Sequence, residues 1–480
     1  MDIESRKKKQ FLKVIFIEFI MVVSVCFLVI FFIFWAMGYK INKNGRLEQN
    51  GLIHVITSPS GVNVKVDDTE NFLRAGVSKT LSAGQHQVTI SKDGFHSWQK
   101  RINIRQGFLT QLYYIHLIPI NKQIENIRQI EEPLISTVSP DREKLLYSAI
   151  NSTTWKKINL KNPKPDADTT LDYSDIFRSF LDKDKKFTAT IESTFWSHDS
   201  SGILLKLKQD TKLSWLFLDL NDPKNSTNLT EKFAINFSNI IFNSKNPLKV
   251  WATENENLRE IDLKKLTLSH ILQTKVSDIY SSKDKVFYIR NNKDSTDLKC
   301  QNKAVFAYRS DIEPNNTELY CATTDHPKIV HWEYYGDEYL GILEQNKLLL
   351  QQGRNIASDN SEILKQDTII NLDFNATKLK VSENGALITV ANDRKTAVYD
   401  LDTAKLYKHQ EQESGTINSA MFWQVKNNKL FVYDFDETNK QEITTAEDIF
   451  STMTPDNKWL YFITKNSDQT LFLSRLNLLP

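Results

Sequence analysis

Hydrophobic and polar positions change rhythm three times along this chain. From Val14 to Met37 they do not alternate at all. The stretch is apolar apart from Glu18, and as a helix it would run about 36 Å against roughly 30 Å of bilayer hydrocarbon. That predicts one membrane-spanning helix. From Gly51 to Pro119 the pattern switches to period two in short segments, His54–Thr57, Asn63–Val66, Gln87–Ile90, Arg101–Ile104 and Gln111–Leu117. Turn-forming clusters such as Pro59-Ser60-Gly61 and Asp93-Gly94 separate them, which predicts a small all-β module with one buried face. Beyond Pro119, short apolar strands recur at spacings of about 40 to 60 residues, as expected of four-stranded blades. The expected layout is a cytoplasmic tail (1–10), a transmembrane helix (11–38), a linker (39–50), the small module (51–119) and the repeat domain (120–480).

Composition adds orientation and exclusions. Five basic residues precede the apolar core (Arg6, Lys7, Lys8, Lys9, Lys13) and three follow it (Lys40, Lys43, Arg46), a bias that places the N-terminus inside and the rest outside the cell membrane. Glu18 lies near one end of the run, where a carboxylate reaches the headgroups, so no ion pathway is expected. A cleaved signal peptide would have a shorter core followed by small residues, whereas here Phe31, Phe32, Ile33, Phe34 and Trp35 continue the run. Val25 before Cys26 also speaks against a lipoprotein site. The 61 basic and 59 acidic residues are interspersed, so no nucleic-acid footprint arises. Cys300 and Cys321 stand close enough to flank one hairpin; an oxidising exterior permits a disulfide, and two reduced thiols in neighbouring strands are the alternative.

Several residues of the small module fall into a recognisable order: Ser58, Pro59, Gly61; Val66, Asp67; Gly76; Leu81, Gly84, His86, Val88; Lys92, Gly94, Phe95; Leu117, Pro119. This order resembles the PEGA domain. Ser60, Val62, Asp68 and Val77-Ser78 depart from the family pattern, but at turn and strand positions. The resemblance implies a β-sandwich-like spacer of the kind found on bacterial surface proteins, and His86, beside a glycine turn and before a strand, is read as structural.

The later repeats share a polar turn followed by an apolar strand. Copies begin at Ser139, Trp196, Phe242, Ser282, Tyr334, Ser382 and Thr454, with a compressed copy around Trp423 to Phe435. They resemble the repeats of TolB-type β-propellers, best at Ser139–Tyr147 and Thr454–Tyr461, which implies a propeller of about seven blades, with six or eight as the alternatives. Tryptophans beside the turns, Trp196, Trp332 and Trp423, are read as blade core rather than a carbohydrate platform. Residues 161–186 read as an insertion carrying a short helix, and hence as a rim element available to a partner.

Catalytic signatures are missing: there is no HExxH, GxSxG, GxxxxGK[ST] or GxGxxG. His326 and His331 flank Pro327 without a third ligand, and Asp434-x-Asp436-x-Thr438 starts like a calcium loop but puts Asn439 and Thr445 where glycine and a bidentate carboxylate belong. No catalytic, cofactor or metal residue is therefore assigned, and no α/β-hydrolase domain is expected after the strand Thr470–Leu476. The expected function is a membrane-anchored, extracytoplasmic surface protein whose propeller rim binds a protein or cell-envelope partner. Two alternatives stand beside it, a propeller hydrolase or lyase acting on surface polysaccharide and a structural subunit of an envelope assembly.

Overall fold

A computed structural model places the chain as two compact units, residues 1–121 and 122–480. It describes residues 3–479 apart from 37, 42–44, 46, 68, 75, 77, 151, 164–168, 183–186, 283–284, 292–299, 301–302, 310–317, 325, 355, 357–361, 410–414 and 418–419.

The first unit opens with the helix Ile3–Ala36, whose span Ile15–Trp35 is long and apolar enough to cross a membrane. A two-stranded antiparallel sheet of Tyr39–Ile41 and Leu47–Gln49 comes next, and then two larger β-sheets. One orders its strands Ser78–Leu81, Gly51–Ser58, Leu109–His116, the last two running parallel; the other orders Thr69–Arg74, Asn63–Val66, Gly84–Ser91, Trp98–Ile104. Alternation decides which side is buried. In Trp98–Ile104 every second residue is inside, and Ile53, Val55, Val64, Val88, Ile90, Trp98 and Ile115 from both sheets form one cluster.

The second unit is built from eight four-stranded antiparallel sheets among the described residues, one more than the repeat pattern predicts. We number them blades 1 to 8, over residues 133–172, 190–228, 239–268, 276–322, 328–371, 378–408, 415–445 and 447–477. In blades 1 to 7 the strands lie in chain order from the inner to the outer edge. Inner strands touch from blade 2 through blade 6, and those of blades 7 and 8 and of blades 8 and 1 touch as well. Blade 8 takes its fourth strand from the start of the unit: Ile124–Ile130 pairs with Leu471–Asn477, joining the two chain ends and closing the ring. This arrangement is a β-propeller.

The repeated Ser-x-Asp turns owe their recurrence to one wiring scheme. In blade 2, Ser197 Oγ bonds Asp199 Oδ1 at 2.7 Å and accepts the Gly202 N–H at 2.9 Å, while Asp199 accepts the Ser201 N–H at 3.1 Å. Ser139 and Asp141, Ser382 and Asn384, and Thr454 and Asp456 repeat it in blades 1, 6 and 8. Each turn thus satisfies backbone donors that the reversal leaves without ladder partners. Tryptophans then tie blades together: Trp332 Nε1 donates to the Gly385 carbonyl at 3.0 Å and Trp215 Nε1 to the Phe237 carbonyl at 3.1 Å. Trp155, Trp215, Trp251, Trp332 and Trp423 are buried in blades and Trp98 in the first unit, whereas Trp196 and Trp459 are half-buried.

The segment 161–186 is not an insertion. Residues 164–168 and 183–186 lie outside the described residues, but Thr169–Asp172 is the outer strand of blade 1 and Ser174–Phe177 the short helix. Leu171, Tyr173, Phe177 and Phe180 are buried with Trp155 in the core between blades 1 and 2. The polar flanks and two prolines hide this in the sequence, because among the described residues the packing falls to a few scattered apolar side chains, these four and the half-buried Ile176.

Candidate functional site

The inner strands line an open cavity of about 660 Å³ along the propeller axis, the size of a small-molecule site. Blades 2 to 5 contribute most of its wall, with Pro140 and Val381 from blades 1 and 6. Its polar group centres on Asp278. Oδ1 accepts from Asn239 Nδ2 at 3.1 Å and from the Ile279 N–H at 2.9 Å; Oδ2 lies 2.9 Å from the Tyr280 hydroxyl and 3.9 Å from Lys328 Nζ. The Tyr280 hydroxyl is also 2.7 Å from the Pro327 carbonyl, and it has one proton for these two acceptors. Burial first, and the Asp278 charge second, push the Tyr280 phenol well above its ordinary value, so it stays a donor.

Toward the turns that end the inner strands, the wall combines Phe195 and Trp196 with the polar His198, Ser244 and Ser282. Phe195 is 38 % exposed although its ring stacks on Trp215 at 6.1 Å, and Trp196 beside it donates to Thr137 Oγ1 at 3.0 Å. Ser282, the last residue of its inner strand, has its Oγ 2.9 Å from His331 Nδ1, and His331 Nε2 lies 3.4 Å from Glu338. Hydroxyl, imidazole and carboxylate in a row is the order of an acyl-transfer relay. Here, however, Ser282 Oγ is equally close to the His331 carbonyl at 2.9 Å, the His331 side chain is only 1 % exposed, and its ring packs on Phe287 at 5.0 Å. The row therefore ties blades 4 and 5 together. Burial alone would raise the Glu338 carboxyl, but the His331 hydrogen bond and the Lys285 charge outweigh it and hold it below the usual range.

The other residues singled out in the sequence do not converge. His326 is exposed while His331 is enclosed. Asp434 is 3 % exposed and accepts from Asn439 Nδ2 at 2.9 Å, and Thr438 donates to Asp436 at 2.6 Å, so this turn is filled by its own donors. Among the described residues no group of histidine, cysteine and carboxylate side chains is placed to hold a metal. Cys300 and Cys321 are joined, with Cα atoms 5.2 Å apart, across the outer hairpin of blade 4. Sequence reading missed Asn239, Asp278, Tyr280 and Lys328. They come from three blades and share no motif, so only the ring brings them together.

In the first unit, His86 is 9 % exposed. Its Nδ1 lies 2.7 Å from Asp67 Oδ2 and its Nε2 2.8 Å from the Ser82 carbonyl, and Asp67, with φ of 52°, also accepts the Gln87 N–H at 2.9 Å. Gly94, Phe95 and Pro119 meet as well: Phe95 bridges Pro119, and the Ile120 N–H donates to the Gly94 carbonyl at 2.9 Å. Residues 50–116 match the PEGA domain family. Within the matched residues, Asp67 and His86 pin a turn to a strand. No curated protein matches the chain. Solved structures similar to it include the β-propeller domain of Myceliophteria thermophila Cps50 (Swd1), at 12 % identity over 74 % of this chain and 99 % of that one, with a TM-score of 0.40. The Dos1 propeller matches at 10 % identity over 74 % and 94 % (TM-score 0.42), and an oligogalacturonate lyase in complex with manganese at 12 % over 73 % and 98 % (TM-score 0.37).

The PEGA pair makes a pH prediction. The Gln87 N–H, and then His86, hold the Asp67 carboxyl below its ordinary value of 3.8 even against the cost of burial. A depressed carboxyl stabilises the fold above its unfolded value and loses that contribution as pH falls through the folded one. Asp67→Asn is expected to cost about 1 kcal/mol at neutral pH, and the gap to wild type should close below about pH 4. Urea unfolding followed across pH 2.5 to 7 checks this; a gap that stays constant in acid would remove the carboxylate from the explanation.

Proposed function

We propose that this chain is a membrane-anchored, extracytoplasmic surface protein in which the PEGA domain spaces the propeller from the bilayer and the propeller binds a protein or cell-envelope partner. The observation that carries the reading is the Cys300–Cys321 disulfide on a chain that begins with an apolar helix of spanning length. Such bonds persist in oxidising surroundings, which agrees with the basic bias on the N-terminal side of the helix. Binding follows from what the fold leaves free: strands are committed to blade packing, while turns and the axial cavity are open to a partner. The Ser-x-Asp turns support a TolB-like kind of propeller. In this reading the chain is a binder and not an enzyme.

A membrane-impermeant amine cross-linker added to intact cells, followed by recovery of the tagged full-length chain, tests both parts. Lysines of the propeller should react and a cross-linked envelope component should be recovered. Protection of those lysines would invert the orientation, and recovery of the chain alone after full reaction would remove the partner.

A further inference from the structure

The axial cavity differs at its two ends in a way that specifies a ligand. Phe195 is the second residue back from the end of its inner strand and Asp278 the fifth, so Asp278 lies about 10 Å deeper by strand rise. One face of the Phe195 ring leans on Trp215, which fixes the ring and leaves the other face for a flat, weakly polar surface. At the deep end the Tyr280 proton can serve either the Pro327 carbonyl, at 2.7 Å, or Asp278 Oδ2, at 2.9 Å. When it serves the nearer carbonyl, Oδ2 keeps room for donors from the cavity. Lys328 Nζ, 3.9 Å away on a side chain 41 % exposed, supplies a donor beside that acceptor. An acceptor and a donor side by side suit two adjacent hydroxyls, one giving and one receiving a proton. The opposite charges of the pair disfavour a strongly charged ligand of either sign.

We propose that this cavity binds a short neutral saccharide, about two rings long, with one ring stacked on Phe195 and the hydroxyls of the next on Asp278 and Lys328. The proposal rests on the reading of the propeller as a binder and names what it binds. A peptide segment is the competing occupant. It is disfavoured because Phe195 offers a flat face without an enclosing pocket, and because the deep end pairs one acceptor with one donor instead of presenting a ladder.

The test uses the full-length chain in lipid nanodiscs and an array of di- to tetrasaccharides of glucose, N-acetylglucosamine, galactose, mannose and rhamnose, with calorimetric titration of the best-retained one. Wild type should retain at least one saccharide. Phe195→Ala and Asp278→Asn should each weaken it by about tenfold, and Leu248→Ala, an exposed residue that does not line the cavity, should not. Should Asp278→Asn fold poorly, Phe195→Ala decides, because its ring is partly exposed already. No retention at millimolar saccharide, retention unchanged in Phe195→Ala, or displacement of the saccharide only by extended peptides would each overturn the proposal. A blank array together with a cross-linked protein partner would sink the saccharide and leave the binding reading standing.

Discussion

Deleting residues 161–186 is expected to unfold the propeller, not merely trim its surface. The segment brings four side chains into the core between blades 1 and 2: Leu171, Tyr173, Phe177 and Phe180, each no more than 3 % exposed. Burying side chains of this size contributes about 1.5–3 kcal/mol each, so their joint loss, roughly 6–12 kcal/mol, matches the whole stability of an ordinary domain. Trp155 would lose its stacking partner Phe177, at 5.6 Å, and the Asp219 carbonyl would lose the Tyr173 hydroxyl, at 2.8 Å. Circular dichroism and thermal unfolding of the deletion would check this. A cooperative transition within a few degrees of wild type would show that blade 1 does not need its outer strand.

The ring closure gives the second large effect. A chain beginning at Lys122 should fold, whereas one beginning at Pro133 should aggregate. Removing Ile124–Ile130 takes away the outer strand of blade 8, its ladder to Leu471–Asn477, the packing of Ile127 and Ile130 on the cluster around Leu473, and the Arg475 to Glu125 ion pair at 2.7 Å. At about 1 kcal/mol per lost hydrogen bond, besides the apolar area, the cost exceeds roughly 5 kcal/mol. Size-exclusion chromatography of the two chains separates the outcomes, and a synthetic peptide spanning residues 122–131 should restore part of the monomer. An equally monomeric shorter chain would mean that the ring holds without its clasp.

What the sequence made legible follows from how local each signal is. The strands of the PEGA domain could be placed because a residue-by-residue alternation such as Trp98–Ile104 is itself the cause of the buried face. The helix was legible because a long uninterrupted apolar run is local in sequence, and the structure shows a helix long and apolar enough to cross a membrane. Blade number was less so, because the copy around Trp423 to Phe435 is compressed and its blade opens with a strand of only two residues, Gly415–Thr416. The axial cavity was invisible for a different reason. Asn239, Asp278 and Lys328 each look like ordinary polar residues near the start of a strand, and their proximity is a property of the closed ring alone.

That closure also sets a timetable. Ile124–Ile130 is the first strand of its unit to be made, and its partner Leu471–Asn477 is the last. With about 340 residues between them, synthesis at about 5–20 residues per second leaves the first strand waiting roughly 17–70 s for its ladder. An unpaired strand is a template for association with other chains. The one here reads Ile-Glu-Asn-Ile-Arg-Gln-Ile, with charged or amide side chains at Glu125, Asn126, Arg128 and Gln129. Those polar side chains oppose such association while the strand waits, and once Leu471–Asn477 arrives Glu125 pairs with Arg475 and Asn126 accepts from Ser474.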